Sequence, residues 1–349
     1  MATPIIVDGN ALVVRSLWGG LKDEIRYGLP FTSGIYGSLN TLGVIVEHHL
    51  VEAGQIVAFF DHLPPPRRLR LLPDYKRGRR DHWPRAYREK VGAEPEDDSD
   101  AGDLGVFESV EQRVAAMAQI GQVYELLPLL GVTTLCYRER EADDGVAAAA
   151  RVFVRRGVQP VIVTGDHDLW QSIAWGARVW DLGKSRVVEA GNFHEAAGCA
   201  PDAYTLFRAL TGDASDRIRG ADGFGHKRAA ALLERAHWHV RLMREPRQQL
   251  RELCRFLRDQ EELSRAEIQL VADRKRLDRV IRAIDLRASF GPTPGLERRL
   301  AARLPVDSPG FVRTCRALGL EGSGRRLVRP FETAQKRRDR KKSKRRPPV

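Results

Sequence analysis

The chain has 349 residues, 42% of them hydrophobic, and a formal net charge of +12 at pH 7. No apolar run approaches the roughly 20 residues that a membrane span needs, and the first residues lack the basic-then-apolar pattern of a secretory signal. The four cysteines are far apart with no C-x-x-C pair, so we expect neither a disulfide framework nor a zinc site, and we expect a cytoplasmic protein.

Four short apolar segments are typical of buried strands, at residues 4–9, 55–61, 131–137 and 160–166. Helical patterns separate them, at about 34–52, about 108–130 and 142–156. This alternation predicts an α/β fold, a parallel sheet with helices on both faces. From about residue 185 the alternation stops and helical patterns dominate.

This change of pattern predicts the domain layout. We expect an α/β domain over 1–185, with a mobile polar loop at about 75–107 where Pro and Gly interrupt the chain. A helical region over 186–290 and a small helical part over 291–330 follow.

Positive charge is concentrated near the end of the chain. Segment 336–346 holds nine Lys/Arg and one Asp, so it carries +8 of the +12 and leaves +4 for the rest. Like charges repel and this segment buries nothing, so we expect a disordered basic tail over 331–349. Two interpretations are open: a solvated end, or an arm that binds polyanions through phosphate contacts.

Aspartates follow three of the predicted strands. Asp8, Asp61 and Asp166 come at strand ends, where open α/β sheets form their sites. Like charges at close range cost several kcal/mol unless cations or protons relieve them. Hard divalent cations do so with oxygen ligands, and two ions about 4 Å apart clamp the attacking and leaving oxygens of a phosphodiester.

Three short motifs add further acids: "EADD" at 141–144, "TGDHD" at 164–168 and "GDASD" at 212–216. In "EADD", Glu141 and Asp144 share a helix face, whereas Asp143 is expected to reach a different ligand sphere. Each motif alone fits an ordinary helix cap or an Asx turn. Their joint occurrence on these elements favours a metal site.

These residues together resemble the 5′-nuclease superfamily: flap endonucleases, the 5′–3′ exonuclease domain of bacterial DNA polymerase I, and phage 5′-exonucleases. The resemblance runs from about residue 4 to about 290 and is carried by "IVDGNALVVR" (6–15), "FFD" (59–61), "DYKRGRR" (74–80), "EADD", "TGDHDLWQ" (164–171) and "LTGDASDRIRGADGFGHKRAAALL" (210–233).

The resemblance implies a PIN-like nuclease domain followed by a helix–three-turn–helix at 205–235. It implies a monomeric, structure-selective 5′ nuclease of DNA replication and repair, acting on DNA with 5′ ends, flaps or junctions and not on membranes. Two Mg²⁺ or Mn²⁺ ions would be held by two acidic groups: Asp8, Asp61, Glu141 and Asp143 in one, and Asp144, Asp166, Asp168, Asp213 and Asp216 in the other, with Asp144 a candidate for both.

The resemblance also assigns basic and glycine residues. Lys76 and Arg79 would neutralise charge at the scissile phosphate. Glycines before a helix let the backbone approach phosphates, so the turn would grip duplex DNA by its backbone, with a K⁺ ion bound. The DNA-binding residues implied are Arg15, Tyr75, Arg77, Arg80, Gly220, Gly223, Gly225, Lys227 and Arg228.

Two features depart from the superfamily pattern. The acidic segment "EPEDDSD" (94–100) falls where an arch over single-stranded DNA is expected, and His167 stands where many relatives carry Lys. Two alternatives to a DNA nuclease are open, a PIN-type ribonuclease and a non-catalytic protein that binds DNA structures. A ribonuclease of that type would lack the glycine turn.

Overall fold

A computed structural model describes residues 3–49, 53–77, 85–91, 110–289, 295–320 and 322–343 of the chain. Within these ranges the strands are β1 (Thr3–Asp8), β2 (Ala53–Phe60), β3 (Thr133–Cys136), β4 (Val161–Thr164), β5 (Arg178–Asp181) and β6 (Arg186–Val188). The four predicted strands correspond to β1 to β4, whereas β5 and β6 were not predicted.

The strands form one sheet in the order β3-β2-β1-β4-β5-β6. The first five are parallel, and β6 pairs with β5 in the antiparallel sense. Ile5 pairs with Ile56 on one side and with Val161 on the other, which places β1 at the centre. The carboxyl ends of β1, β2 and β4 therefore meet at one edge of the sheet.

Helices flank the sheet and build the second half of the chain. The α-helices are α1 (Gly9–Arg26), α2 (Ser33–Val44), α3 (Pro66–Leu71), α4 (Arg85–Val91), α5 (Val110–Leu126), α6 (Ala142–Arg155), α7 (Phe193–Ala197), α8 (Tyr204–Thr211), α9 (His226–Arg235), α10 (His237–Arg241), α11 (Pro246–Arg258), α12 (Arg265–Ala272), α13 (Arg274–Ile284), α14 (Leu286–Ser289), α15 (Leu296–Ala301), α16 (Ser308–Ala317) and α17 (Gly324–Ser343). A π-helix (Ile45–His49) and 3₁₀ helices (Leu127–Leu129, His167–Trp175 and Pro201–Ala203) complete these elements.

Both faces of the sheet are covered, as predicted. Successive strand residues point to opposite faces, so Ile5 and Val7 belong to one apolar cluster and Ile6 to the other. The Ile5 cluster packs against α1, α2, α5 and α17, whereas the Ile6 cluster continues through α6 into the helical region. Because one cluster joins sheet and helices, the two parts share a core.

The helical region packs directly on the sheet domain. α13 contacts α3, and α14 and α15 both contact α6. The domain limits at 185 and 290 stay predictions. Most of the loop predicted at about 75–107 lies outside the described residues, although α4 falls within it. In the described ranges no helix combines the length and hydropathy needed to cross a bilayer.

The prediction of a disordered tail from residue 331 is wrong for the part that the structure describes. α17 runs from Gly324 through Ser343. Leu327, Val328 and Phe331 are at most 3% exposed, so the helix has an apolar face that the sheet domain buries. Burial of that face stabilises the helix despite its charge.

Gly145 tests the contact between α6 and β2. A Cβ atom at this position would lie 2.3 Å from Phe59 Cδ1, so we expect Gly145→Ala to reduce the free energy of unfolding by about 1–3 kcal/mol. Gly19 on α1 has no atom within 4 Å of its Cβ position, and Gly19→Ala should stabilise by about 0.5–1 kcal/mol. Urea unfolding measures both, and equal effects would contradict the packing described.

Candidate active site

Thr164 joins two central strands at the carboxyl edge of the sheet. Its hydroxyl, at the end of β4, donates to Asp8 Oδ2 at 2.9 Å. The N–H of Asp166 donates to the same hydroxyl oxygen at 2.9 Å. Asp8 Oδ1 accepts from the Ala11 N–H at 3.0 Å, so this carboxylate also caps α1. One hydroxyl therefore holds Asp8 and Asp166 beside each other.

Asp61, which follows β2, links that strand to the start of α6. Its N–H donates to Asn10 Oδ1 at 2.9 Å, and its Oδ1 accepts from the Ala142 N–H at 2.6 Å. The free N–H groups of a helix start favour a carboxylate at this position. The local backbone therefore fixes Asp61 beside the acids of α6.

Three carboxylates gather at the start of α6, where Glu141, Asp143 and Asp144 offer oxygens within 4.8 Å of one another. Arg68, buried on α3, forms a short ion pair with Glu141. Its guanidinium lies 3.1 Å from Asp143 Oδ2 and 2.8 Å from Asp144 Oδ1. One planar fork of donors therefore holds Asp143 together with the other two acids, and the separate ligand sphere expected for Asp143 stays a prediction.

The pKa values of Glu141 and Asp143 are shifted in opposite directions. Burial raises the pKa of Glu141, but Lys76 and Arg68 outweigh burial and bring that pKa down to about 2. Burial raises the pKa of Asp143 well above its usual value; Arg68 opposes this shift and Asp144 adds to it. Glu141 is therefore firmly ionised, whereas Asp143 carries the cost of crowding. The Glu141 N–H also donates to Asp144 Oδ2 at 3.3 Å, so the helix-cap interpretation holds as well.

Lys76 connects α6 to the turn after α8. Its Nζ forms a short ion pair with Glu141 and lies 3.8 Å from Asp216 Oδ2. The backbone N–H of Lys76 donates to the Asp216 carbonyl oxygen at 3.0 Å. Lys76 adopts a φ of 50°, which is uncommon for a residue other than glycine. Backbone and side chain together hold this ammonium group among the acids.

Arg208, on α8, connects the turn after β4 to the turn after α8. Its Nε donates to Asp168 Oδ1 and its Nη2 to Asp213 Oδ2, each at 2.7 Å. Asp213 Oδ1 accepts from the Ser215 N–H at 2.8 Å and the Asp216 N–H at 3.2 Å, which is the predicted Asx turn. Burial raises the pKa of Asp213, but the Ser215 hydroxyl and Arg208 outweigh burial and hold this pKa below its usual value.

Asp8, Asp61 and Asp166 form the part of the site that lacks such compensation. None of the three makes a salt bridge with another residue in the described ranges. Burial and the charge of Asp61 raise the pKa of Asp8 to about 6, and burial also raises that of Asp61. Asp166 keeps surface open to solvent, yet the protein crowded around its carboxylate and the charge of Asp168 raise its pKa to about 8.

All the predicted acids therefore converge, in two arrangements. Asp8, Asp61 and Asp166 lie together without a salt bridge in the described ranges, although the charge of Lys76 lowers the pKa of each. The remaining acids share three basic side chains. Those residues, which the sequence analysis placed in two ligand groups, are Glu141, Asp143, Asp144, Asp168, Asp213 and Asp216. Their roles as metal ligands stay predictions.

The predicted DNA contacts in the first half of the chain have different environments. Arg15 on α1 and Arg77 are exposed, and Arg77 lies 3.5 Å from Asp74. Arg79 and Arg80 lie outside the described residues. Tyr75, which the resemblance places among the DNA-binding residues, is 5% exposed, and its hydroxyl donates to Glu141 at 3.0 Å. The ring therefore packs in the core, and its contact with DNA stays a prediction.

The three glycines of the glycine-rich turn have different environments in the fold. At Gly220 a Cβ atom would lie 2.3 Å from the Leu210 carbonyl oxygen, so this glycine permits a backbone crossing rather than an approach to phosphate. Gly223 has a φ of 78°, which glycine adopts without strain. Gly225 precedes α9 and has open space around its Cβ position.

The turn also carries the two predicted basic contacts of α9. Lys227 and Arg228 are exposed at the start of this helix. Arg228 Nη1 donates to the Gly223 carbonyl oxygen at 3.1 Å, so it folds back over the turn.

Sequence reasoning missed Arg68, Arg208 and Thr164. Arg68 precedes Tyr75 by seven residues, two helical turns, within a leucine-rich segment, and an arginine in apolar surroundings is a signal for a buried ion pair. Arg208 precedes Asp213 in a helix that is otherwise apolar. Thr164 ends an apolar strand, where its hydroxyl needs a partner.

An open, mostly parallel sheet with acids along its carboxyl edge defines a resolvase-like α/β domain of the 5′-nuclease class. The family model described as "5′-3′ exonuclease, N-terminal resolvase-like domain" matches residues 3–198. This match spans more than half of the chain, which therefore belongs to the 5′–3′ exonuclease family, within the 5′-nuclease superfamily.

Curated relatives agree with this family. The thermostable DNA polymerase I of Thermus filiformis is 31% identical over 235 residues, which cover 67% of this chain and 24% of the polymerase. The chain thus spans about a quarter of that relative. The 5′-3′ exonuclease of Aquifex aeolicus is 26% identical over 273 residues, covering 78% of this chain and 83% of the relative.

A solved structure has the same fold. The flap endonuclease of bacteriophage T5, in a pseudo-enzyme–product complex with DNA and metal ions, matches 95% of this chain and 99% of its own, with a TM-score of 0.57 at 18% identity.

The uncompensated acids predict how stability depends on pH. The folded pKa values of Asp8 and Asp166 lie above the ordinary 3.8, so the folded chain keeps protons that the unfolded chain has lost. In chelator, the free energy of unfolding should fall as pH rises from about 5 to about 9. Thermal unfolding of Asp166→Asn should show a weaker fall, whereas the exposed control Asp23→Asn should follow the parent chain. A parent chain with constant stability over this range would contradict the assignment.

Arg68 should be the most important cation for stability. Arg68→Ala leaves three carboxylates at the start of α6 without their buried partner, and we expect a loss of about 3–5 kcal/mol in chelator. Arg70, two residues further on α3, is exposed, so Arg70→Ala should change stability by less than about 0.5 kcal/mol. Denaturant unfolding measures both, and similar losses would show that the ion pairs contribute little.

Proposed function

We propose that the protein is a divalent-metal-dependent, structure-selective 5′ nuclease, a 5′–3′ exonuclease and flap endonuclease that hydrolyses DNA phosphodiesters. Membership of the 5′–3′ exonuclease family supports this function. The observation that carries it is the group Asp8, Asp61 and Asp166, which crowds negative charge at the sheet edge without a salt bridge in the described part of the chain. Such an arrangement suits cations from solution.

The donors fit hard divalent ions. Every candidate ligand at the edge is a carboxylate oxygen, the type that Mg²⁺ and Mn²⁺ prefer. We propose two such ions, one held by Asp8, Asp61, Glu141 and Asp143 and the other by Asp144, Asp166, Asp168, Asp213 and Asp216. Asp8 and Asp61 in the first group and Asp166 in the second offer an ion the least competition, because they form no salt bridge in the described ranges. Glu141, Asp143 and Asp144 become available to an ion only where Arg68 gives up contacts with them.

When bound, the ions lower the pKa of water and stabilise the charge on the phosphoryl oxygens. The chain's own residues do the positioning. Lys76 is held at the site by Glu141 and Asp216 and presents a cation to a phosphate. Arg79 is proposed for the same task. Thr164 and Asn10 keep Asp8 and Asp61 oriented through hydrogen bonds.

The substrate class is proposed from the fold and from charge. The phage T5 structure with this fold contains DNA and metal ions. In this chain, Lys227 and Arg228 are exposed at the start of α9, next to the turn that contains Gly223 and Gly225. Backbone N–H groups and basic side chains there suit phosphates rather than base edges. A K⁺ ion at this turn remains part of the proposal.

Cleavage of a labelled 5′-flap duplex tests the function. We expect cleavage with Mg²⁺ and a loss of about 100-fold or more in Asp8→Asn and Asp166→Asn, since each removes a negative charge that holds the ions. Asp23→Asn serves as the exposed control and should keep the parent rate. Full activity in both site variants would refute the proposed metal site.

The same assay separates the alternatives. Equal rates on flap DNA and on matched single-stranded RNA would favour a PIN-type ribonuclease. Tight flap binding without cleavage in Mg²⁺ or Mn²⁺ would favour a non-catalytic binding protein. Products with 5′ phosphates, released from flaps faster than from unpaired DNA, are the expected result.

A further inference from the structure

α17 carries the densest positive charge in the described part of the chain, and the proposed active site does not use it. Its 20 residues contain nine Lys/Arg and two acids, a net charge of +7. The whole chain carries +12, so this one helix accounts for more than half of the total.

The charges of α17 are ordered by face. Arg325, Arg329, Lys336 and Arg340 are exposed. Their spacing of i, i+4, i+11 and i+15 places them within about 60° of one another around a helix of 3.6 residues per turn. We call these four residues the basic stripe. Leu327, Val328 and Phe331 point to the opposite side and are buried. The stripe is therefore held outward by a packed apolar face.

α17 lies far from the acids. Gln335 Oε1 accepts from the Val306 N–H at 2.8 Å, and Phe331 lines a small cavity with Leu130 and Gly131. Leu130 and Gly131 precede β3, so they mark the amino edge of the sheet. The carboxylates occupy the opposite edge, so this part of α17 lies on another side of the sheet domain from the proposed active site.

The stripe concentrates like charge. Arg325 and Arg329 are four residues apart, as are Lys336 and Arg340, and such like-charged pairs oppose helix formation. In the described ranges the side chains of Arg325, Arg329 and Lys336 form no salt bridge. A surface that only needs solubility can mix both signs. A row of positive side chains becomes favourable when a polyanion lies along it.

We propose that the basic stripe is a second DNA-binding surface, which contacts the phosphate backbone of a duplex segment other than the one in the active site. The stripe spans about 22 Å, at 1.5 Å per residue. This length matches about six phosphates along one strand of a duplex. The inference rests on the proposed function only in taking DNA as the polyanion.

The test uses duplexes of two lengths. A chain of this length folds into a body about 50 Å across. A duplex of about 10 base pairs is about 34 Å long, shorter than this body, whereas a duplex of about 40 base pairs is longer than it.

The test compares two variants, each of which loses four positive charges. The stripe variant carries Arg325→Gln, Arg329→Gln, Lys336→Gln and Arg340→Gln. The matched control carries Lys22→Gln, Arg155→Gln, Lys184→Gln and Arg303→Gln, at exposed positions on other elements. Affinity for a duplex of about 40 base pairs is measured in chelator over a range of NaCl concentrations. Each lost phosphate contact reduces the salt slope by about 0.9, so the slope of the stripe variant should be shallower by about 3 to 4.

One further measurement separates this inference from the proposed function. Cleavage of a flap DNA with arms of about 10 base pairs, at saturating enzyme, should be unchanged by the stripe substitutions. If no flap is cleaved at all, the proposed function fails while the salt slopes still test the stripe.

Equal slopes in the stripe variant and the matched control would overturn the inference. So would loss of binding to phosphatidylserine vesicles with unchanged DNA binding, since the partner would then be a membrane surface. Thermal unfolding checks that both variants fold. If the fourfold variant does not, Arg329→Gln and Lys336→Gln singly should each lower the slope by about 0.9, and unchanged slopes in both would overturn the inference. Truncation near residue 330 is a poorer test because it removes the buried Phe331.

Discussion

Repulsion among carboxylates at the carboxyl edge of the sheet is the constraint on which the rest of the site depends. Strand ends and short helix starts bring acids from five segments of the chain to this edge. The protein offsets part of that charge with Arg68, Lys76 and Arg208, which are held by fold contacts and not by a ligand. It leaves Asp8, Asp61 and Asp166 without such partners. The site therefore has one part in which basic side chains offset the acids and one part in which they do not.

The same cations explain how the helical region is attached to the sheet. Arg208 joins Asp168, after β4, to Asp213, after α8. Lys76 joins Glu141 on the sheet side to Asp216 in the helical region. Apolar packing of α13 on α3 provides area, whereas these charge pairs provide register. The position of the glycine-rich turn relative to the acids is therefore coupled to the electrostatics of the site.

Local pattern was enough to predict β1 to β4, the helices on both faces and the carboxylates at the strand ends. Those features depend on periodicity and on the geometry of parallel sheets. β5 (RVWD) and β6 (RVV) escaped notice because each offers only two consecutive apolar residues after an arginine. Arg68 escaped because its partners lie more than 70 residues away, and Arg208 because its pairing with Asp168 spans 40 residues. The burial of Tyr75 depends on tertiary packing, which local pattern does not show.

The prediction for the basic tail shows the opposite error, because its charged composition hid the apolar face of a helix. Charge dominates the sequence from residue 336, and the disorder prediction followed from charge alone. Leu327, Val328 and Phe331 nevertheless share one helical face, and Ala334 continues it. Helix packing on the sheet domain decided the outcome, as tertiary contacts commonly do for segments of weak intrinsic preference.

The internal cations also bear on how the protein matures. A zinc finger reaches its native state only when its ion arrives, because the ligands repel without it. Here Arg68, Lys76 and Arg208 occupy the equivalent role during synthesis, so the nascent chain can complete its fold in a metal-starved environment. We therefore expect folding to be independent of metal supply, with the ions required only for activity.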